Sequence, residues 1–187
     1  MSKWNTTKLM AAAGLGVVYL AFGLLFAVIT APIGIPGIGG AVNMFISGAL
    51  FALVCLVIRR FGAAAIMGFI ASVLAIPFSF LGPPGFFLKI IVGVVVGLVA
   101  DMVFLFLAKT PRLASLVIGA LTQLLFGLGI VGFGFLIGVP GIDKLAKLLL
   151  SPFGIAGALI GGAIGGFVGW LIYRRIEKFP VVRRIQA

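Results

Sequence analysis

The sequence predicts an all-α integral membrane protein with six transmembrane helices and with both termini in the cytoplasm. Hydrophobic residues make up 63% of its 187 residues and charged residues only 9%, which leaves too little polar surface for a water-soluble globule. A bilayer core of about 30 Å needs roughly 20 apolar residues per helix. The predicted spans are residues 9–30, 41–58, 61–80, 86–108, 113–138 and 152–173. Because these runs and their short connections use almost the whole chain, residues 1–187 are predicted to form a single transmembrane domain.

The distribution of basic residues between the spans predicts the orientation, because cytoplasmic loops of membrane proteins are enriched in Lys and Arg. Of the 14 basic residues, 11 fall on the side of the termini and 3 on the other side. The smaller group is Lys89, Lys144 and Lys147. Both termini are therefore expected in the cytoplasm, which requires an even number of spans.

Several classes of function find no support in the sequence. The net charge of +11 is spread over loops between spans and not over one face of a soluble fold, which argues against nucleic-acid binding. There is no histidine, and Cys55 is the single cysteine, so we expect no metal site. No hydrolase or phosphate-loop motif is present. We expect neither an enzyme nor a bound cofactor.

The connections on the predicted outer side are apolar and rich in Pro and Gly. They are APIGIPGIGG (31–40), LGPPG (81–85) and VPGIDKLAKLLLSP (139–152). The last is predicted to form a short amphipathic helix with Ile142, Leu145 and Leu149 on one face. These connections are either interfacial turns that rest on lipid headgroups or lids over an outward-facing pocket.

Glycines recur every four residues in two of the spans, at Gly93 and Gly97 in the fourth and from Gly157 to Gly169 in the sixth. Small residues at this spacing let helix backbones approach closely inside a membrane. Ala12 and Gly16 form a similar pair in the first span. Each of these faces serves either internal packing or the docking of another membrane subunit.

The most informative residue is Asp101, because a carboxylate inside a span is costly and normally faces the bundle interior or a wet cavity. At about 1.5 Å per residue, Asp101 lies in a middle layer with Gln123, Tyr19, Ser47 and Ser72. This layer offers hydrogen-bonding side chains from five helices.

Two explanations of the layer remain open. Asp101 could fix the register of the helices through a bond to Gln123 or Tyr19, with no ligand involved. Alternatively, Asp101 and Gln123 bind a small polar or cationic solute beside the aromatic rings of Tyr19 and Trp170, with Asn43 nearer the outer face. A carboxylate and a carboxamide both accept N–H bonds, which suits an aminopyrimidine or ammonium group.

Two stretches carry a resemblance to a known family. They are GGAVNMFISGALFALVCLVIRRFGAA (39–64), with its basic turn before Gly-Ala-Ala, and IIVGVVVGLVADMVFLFL (90–107), which contains Asp101. The sequence resembles the substrate-binding S components of energy-coupling-factor (ECF) vitamin transporters. Within that family it is most similar to the branch associated with thiamine and its hydroxymethylpyrimidine precursor, in which an acid, usually Glu, occupies the position of Asp101.

The resemblance implies a six-helix subunit in a prokaryotic plasma membrane that binds its solute from outside, gated by the outer loops. It also implies a transmembrane T subunit and two cytoplasmic ATPases as partners. In S components an Ala-xxx-Ala face on the first helix often contacts the T subunit, and Ala12 and Gly16 are the nearest match here. Two alternatives remain, namely a stand-alone ion- or proton-coupled carrier that uses Asp101 and a membrane scaffold without transport.

Overall fold

The computed structural model describes residues 4–30, 38–78, 84–139 and 141–186, and in these ranges it consists of helices and short turns. In chain order the helices are α1 (Thr6–Thr30), α2 (Ile38–Ile58), α3 (Ala63–Leu74), α4 (Lys89–Phe106), α5 (Pro111–Leu136), α6 (Ile142–Leu149), α7 (Pro152–Ile176) and α8 (Pro180–Gln186). The all-α prediction is confirmed, and the short helix predicted within residues 139–152 is α6.

Within the described residues, four helices, α1, α4, α5 and α7, are long and apolar enough to cross a membrane. The apolar part of α2, Val42–Ile58, is shorter. Of the predicted third span, 61–80, the structure describes residues 61–78. These are helical over the 12 residues of α3, about 18 Å, and continue as a turn from Ala75. The count of six spans and the cytoplasmic termini therefore stay predictions.

The second helix, α2, is the centre of the bundle. Every residue from Ser47 to Ile58 is buried, and α2 packs against α1, α5 and α7. A helix that is apolar on all sides is stable only when other helices surround it. The surrounding helices expose large apolar side chains instead, such as Phe106 at 81% and Phe153 at 90%. This inside-out pattern fits a bundle whose surface meets lipid.

Glycines bring the helix backbones together where α7 packs against α2 and α5 and where α4 packs against α3. On α7, Gly165 and Gly169 face α2, whereas Gly162 and Gly166 face α5, where Gly162 lies against Gly119. A methyl group at Gly162 or Gly119 would overlap the backbone of the other helix. The third interface joins α3 and α4. There Gly93 lies against Gly68, and Gly97 lies against Ala64. These glycine faces serve internal packing, as expected for helices in lipid.

Two charged side chains of α4 bind the two ends of α3. The Asp101 carboxylate accepts hydrogen bonds from the backbone N–H groups of Gly62 at 3.0 Å and of Ala64 and Ala65 at 3.2 Å. At the other end, Lys89 Nζ donates to the carbonyl oxygens of Ala75 at 3.0 Å and Phe78 at 3.1 Å. Each charge complements the helix dipole of α3 at its own end.

This arrangement explains how a short helix can end inside the bundle. The first N–H groups and the last carbonyl groups of any helix lack partners within that helix. Such groups cost several kcal/mol each when lipid or apolar protein surrounds them. Asp101 is 2% exposed and Lys89 is 1% exposed, so the hydrogen bonds of both side chains form away from water. The acid and the base of α4 therefore hold α3 in register.

Replacement of Gly162 by Ala is expected to destabilise the bundle, because the new methyl group overlaps the backbone of α5. Overpacking of this kind costs about 1–3 kcal/mol. Gly157→Ala is the matched control on the same helix, since a methyl group there has no atom within 4 Å. We expect Gly162→Ala to lower the melting temperature in detergent and Gly157→Ala to leave it unchanged or raise it. Equal melting temperatures would contradict the close approach of α5 and α7.

Replacement of Asp101 by Leu is expected to destabilise the protein, because three backbone N–H groups lose their acceptor. Leaving a buried donor unsatisfied costs about 1–3 kcal/mol. Asp101→Asn keeps one acceptor oxygen and should lie between Asp101→Leu and the wild type. The control is Met102→Leu at the neighbouring, lipid-exposed position. Thermal unfolding in detergent measures the series, and a wild-type melting temperature for Asp101→Leu would refute the helix-capping role.

Candidate functional site

A cavity of about 190 Å³ lies between α2, α5, α6 and α7. Its walls are mostly apolar, with Met44 from α2, Phe126 from α5, Leu149 from α6 and Ala158 from α7. An apolar cavity of about 150 Å³ is large enough to hold benzene. The space is therefore sufficient for a small organic molecule with one substituted ring.

The short helix α6 covers this cavity. Leu145 and Leu149 line the cavity from α6, while Ile142 is buried and packs against Gly134 of α5. The chain then enters α7 through Ser151, whose hydroxyl accepts a hydrogen bond from the backbone N–H of Gly154 at 3.0 Å. The alternation of apolar and charged residues along α6 thus turns its apolar face toward the bundle.

Polar side chains from two helices meet at the cavity. Gln123 of α5 lines the cavity and donates a hydrogen bond through Nε2 to the hydroxyl of Ser47 on α2. One turn earlier on α2, Asn43 also lines the cavity. Its carboxamide oxygen is enclosed, and no described residue donates a hydrogen bond to it. A buried acceptor without a donor is costly in the empty protein, so it marks a place where a ligand can bind.

Aromatic side chains form the packing beneath these polar groups. Tyr19 of α1 is fully buried, and its hydroxyl lies near the side chains of Ser47 and Asn43. The Tyr19 ring meets Phe51 edge to face with centroids 6.0 Å apart, and Phe51 meets Phe126 in the same way at 5.9 Å. Since Phe126 lines the cavity, this row of rings links α1, α2 and α5 directly to it.

The arrangement can bind a small molecule but offers little for chemical conversion. None of the described residues that line the cavity has an ionisable side chain. The available groups are carboxamides and apolar surface, which can accept or donate hydrogen bonds and exclude water. Specificity at such a site comes from shape and from a small number of placed polar groups.

The structure brings together three of the residues predicted to bind substrate, namely Gln123, Tyr19 and Asn43, but it places Asp101 elsewhere. Asp101 lines a separate cavity of about 220 Å³ together with Arg59 and Phe104, at the end of α3 that follows the basic turn. Its oxygens accept bonds from α3, and Cys55 Sγ lies 3.9 Å from Oδ1. The expected bond from Asp101 to Gln123 or Tyr19 is not among its described contacts.

Trp170 also lies away from the cavity beneath α6. Its ring stacks on Phe167 with centroids 5.5 Å apart, and the guanidinium carbons of Arg112 and Arg174 lie 5.6 and 5.7 Å from its centroid. Cation–π contacts of this kind join the ends of α5 and α7 on the side of the basic connections. Trp170 therefore contributes to packing near the predicted cytoplasmic face.

The pair predicted to dock a partner subunit faces the interior. Ala12 is fully buried, and a methyl group at Gly16 would lie 2.8 Å from the carbonyl oxygen of Met67 on α3. The structure therefore uses this small-residue face for the packing of α1 against α3. Of the two explanations left open by the sequence, this placement favours internal packing.

Some contributors to the site were not singled out in the sequence. Met44 lies beside the candidate Asn43 and carries no distinguishing pattern. Ser47 was placed in the middle layer, but a lone serine does not reveal that it bridges to Gln123. The leucines of α6 were recognised as one apolar face, and only the direction of that face toward α5 and α7 was unknown.

Comparison with known proteins adds one finding about the fold. No protein-family model and no curated protein matches the sequence. Among solved structures, the chain is similar to one described as the crystal structure of an S-component of an ECF transporter, with a TM-score of 0.57 and 20% sequence identity. The match covers 97% of this chain and 90% of the other. The protein therefore shares the S-component fold over nearly its whole length.

Proposed function

We propose that the protein is the substrate-capture subunit of an ATP-driven ECF-type importer and that it binds a small vitamin-like molecule in the cavity beneath α6. The observation that carries this proposal is the enclosed acceptor oxygen of Asn43, which faces a small, largely apolar cavity. The likeness in fold to an S-component supports the same role. Binding would satisfy the acceptor and bury apolar surface of the ligand.

In this proposal α6 acts as a lid on the outer side of a prokaryotic plasma membrane. The excess of basic residues at the other end of the bundle supports this orientation. Two positions can serve as hinges for the lid. The first is Gly141, which precedes α6 and has a φ of 80°, a conformation that glycine adopts readily. The second is Ser151, which lies between α6 and α7. Movement of α6 about these positions would expose Leu145 and Leu149 and open the cavity.

The energy for uptake is proposed to come from partner proteins, a transmembrane T subunit and two cytoplasmic ATPases. The sequence itself has no phosphate-binding loop of the GxxxxGK[ST] type. Because Ala12 is buried and α3 packs against Gly16, docking through this pair would require α1 and α3 to separate. We therefore propose that the T subunit contacts the lipid-facing surface of the bundle.

The proposed ligand is thiamine or its hydroxymethylpyrimidine precursor. An aminopyrimidine has an exocyclic amino group that can donate to the Asn43 oxygen and a flat ring that suits apolar walls. Asp101 has no direct role in this proposal, since three N–H groups of α3 already occupy its oxygens. The same contacts make Asp101 a poor proton site for a stand-alone carrier, because protonation would weaken the hold on α3.

Replacement of Gly127 by Leu is expected to abolish ligand binding, because the new side chain would fill the cavity. Gly127 lines the cavity, and an added Cβ there meets only Leu149 Cδ1, at 4.0 Å, so Gly127→Leu projects into the space without overlapping the backbone. The matched control is Gly132→Leu on the same helix, where an added Cβ has no atom within 4 Å. Thermal-shift titration with thiamine, hydroxymethylpyrimidine, riboflavin and biotin measures both variants against the wild type.

A ligand present at 100 times its dissociation constant stabilises the folded state by about 2.7 kcal/mol, which shifts the melting temperature measurably. We expect such a shift for one of these compounds in the wild type and in Gly132→Leu, and none in Gly127→Leu. An equal shift in Gly127→Leu would place the ligand elsewhere, and no shift in any of the three proteins would contradict solute capture.

A further inference from the structure

The cavity beneath α6 is bordered by neutral groups throughout its described lining. Its polar members are the carboxamides of Asn43 and Gln123, and its remaining side chains are apolar. A charged ligand would therefore find no opposite charge in the cavity wall.

The described charged groups of the same half of the bundle, Lys89, Asp143, Lys144 and Lys147, do not line this cavity. Lys89 donates to two carbonyl oxygens at the end of α3. Asp143 and Lys147 of α6 are exposed and line a surface pocket with Phe135, separate from the cavity that Leu145 and Leu149 border. No described charged side chain of α4 or α6 therefore faces the cavity beneath α6.

We propose that the cavity beneath α6 selects an uncharged small molecule that has an N–H or O–H donor for the oxygen of Asn43, and this inference rests on the function proposed above. Burying an ionised group without an opposite charge is strongly unfavourable, whereas burying a neutral polar group is compensated by one hydrogen bond. Between the two compounds named above, hydroxymethylpyrimidine fits this rule and thiamine, with its permanently cationic thiazolium ring, does not.

The donor requirement follows from the hydrogen bonds already made inside the protein. The amide nitrogen of Gln123 is occupied by Ser47, which fixes the orientation of this carboxamide. The oxygen of Asn43 has no described donor. A ligand without a donor would leave this oxygen unsatisfied after displacing water from the cavity, so its affinity would be lower.

Two pairs of compounds that differ in charge test the inference. Nicotinamide and nicotinate have the same ring and nearly the same size, but only nicotinate is charged at pH 8. Hydroxymethylpyrimidine and thiamine share the aminopyrimidine ring, but only thiamine carries a cation. Isothermal titration of the full-length protein in detergent at pH 8 is expected to give at least tenfold tighter binding for a neutral member than for its charged partner.

A substitution inside the cavity provides the second measurement. Gln123→Glu has the same shape as the native side chain, and Ser47 can donate its hydroxyl proton to the new carboxylate. The variant is expected to move the preference toward thiamine by at least tenfold, because the cavity then contains a counter-charge. Asn43→Asp repeats the test at the second carboxamide if Gln123→Glu does not fold, and Gly132→Leu serves as a control that keeps the neutral preference.

The outcomes separate this inference from the proposed function. Binding of thiamine or nicotinate as tight as that of the neutral partner would overturn the selection for uncharged ligands and leave solute capture standing. Absence of binding by all four compounds at millimolar concentration would overturn both proposals. Binding of a neutral member alone, with the preference moved by Gln123→Glu, supports both.

Discussion

The binding of both ends of α3 by α4 is the constraint on which the rest of the structure depends. A helix of 12 residues is too short to cross a bilayer and brings its unpaired backbone groups into the bundle. Asp101 and Lys89 supply the missing acceptor and donor, and they are 12 positions apart, about 18 Å along α4. This distance matches the length of α3. The two charges of α4 therefore bind the ends of α3, and the ligand cavity, which no described α4 residue lines, is neutral.

The frame of the cavity comes from close helix packing without large side chains. Gly162 and Gly166 let α7 approach α5, and Gly165 and Gly169 let the same helix approach α2. Nearer the start of α7, Ala158 lines the cavity together with Met44 of α2 and Phe126 of α5. The short helix α6 covers this cavity with Leu145 and Leu149.

Much of this architecture could be predicted from the sequence, because composition and glycine spacing directly reflect lipid exposure and helix contact. The helices α1, α4, α5 and α7 coincide with predicted spans within a few residues. The short extent of α3 could not be predicted, since the apolar run continues through Phe78 without a change in composition. The helix ends just before Ala75, whose carbonyl oxygen accepts a hydrogen bond from Lys89, a residue distant in sequence.

The candidate site was predictable only as a set of polar residues at similar depth. Depth along a helix follows from a rise of about 1.5 Å per residue, but the direction of each side chain depends on rotation of the helix about its axis. For this reason Gln123 lies at the cavity with Asn43, which was predicted nearer the outer face, whereas Asp101, predicted in the same layer as Gln123, faces α3. The apolar sequence around Asp101 has little amphipathic pattern that could have indicated this direction.

The most direct measurement for the central claim, that the cavity beneath α6 holds a captured solute, is native mass spectrometry of the detergent-purified protein. The protein would be incubated with a mixture of water-soluble vitamins, and the mass of any bound molecule would be determined after its release in the gas phase. The account predicts one bound molecule per chain, with the mass of an uncharged compound from the mixture. A protein that retains no molecule would contradict solute capture. A protein that binds charged and uncharged members alike would contradict only the selection for uncharged ligands.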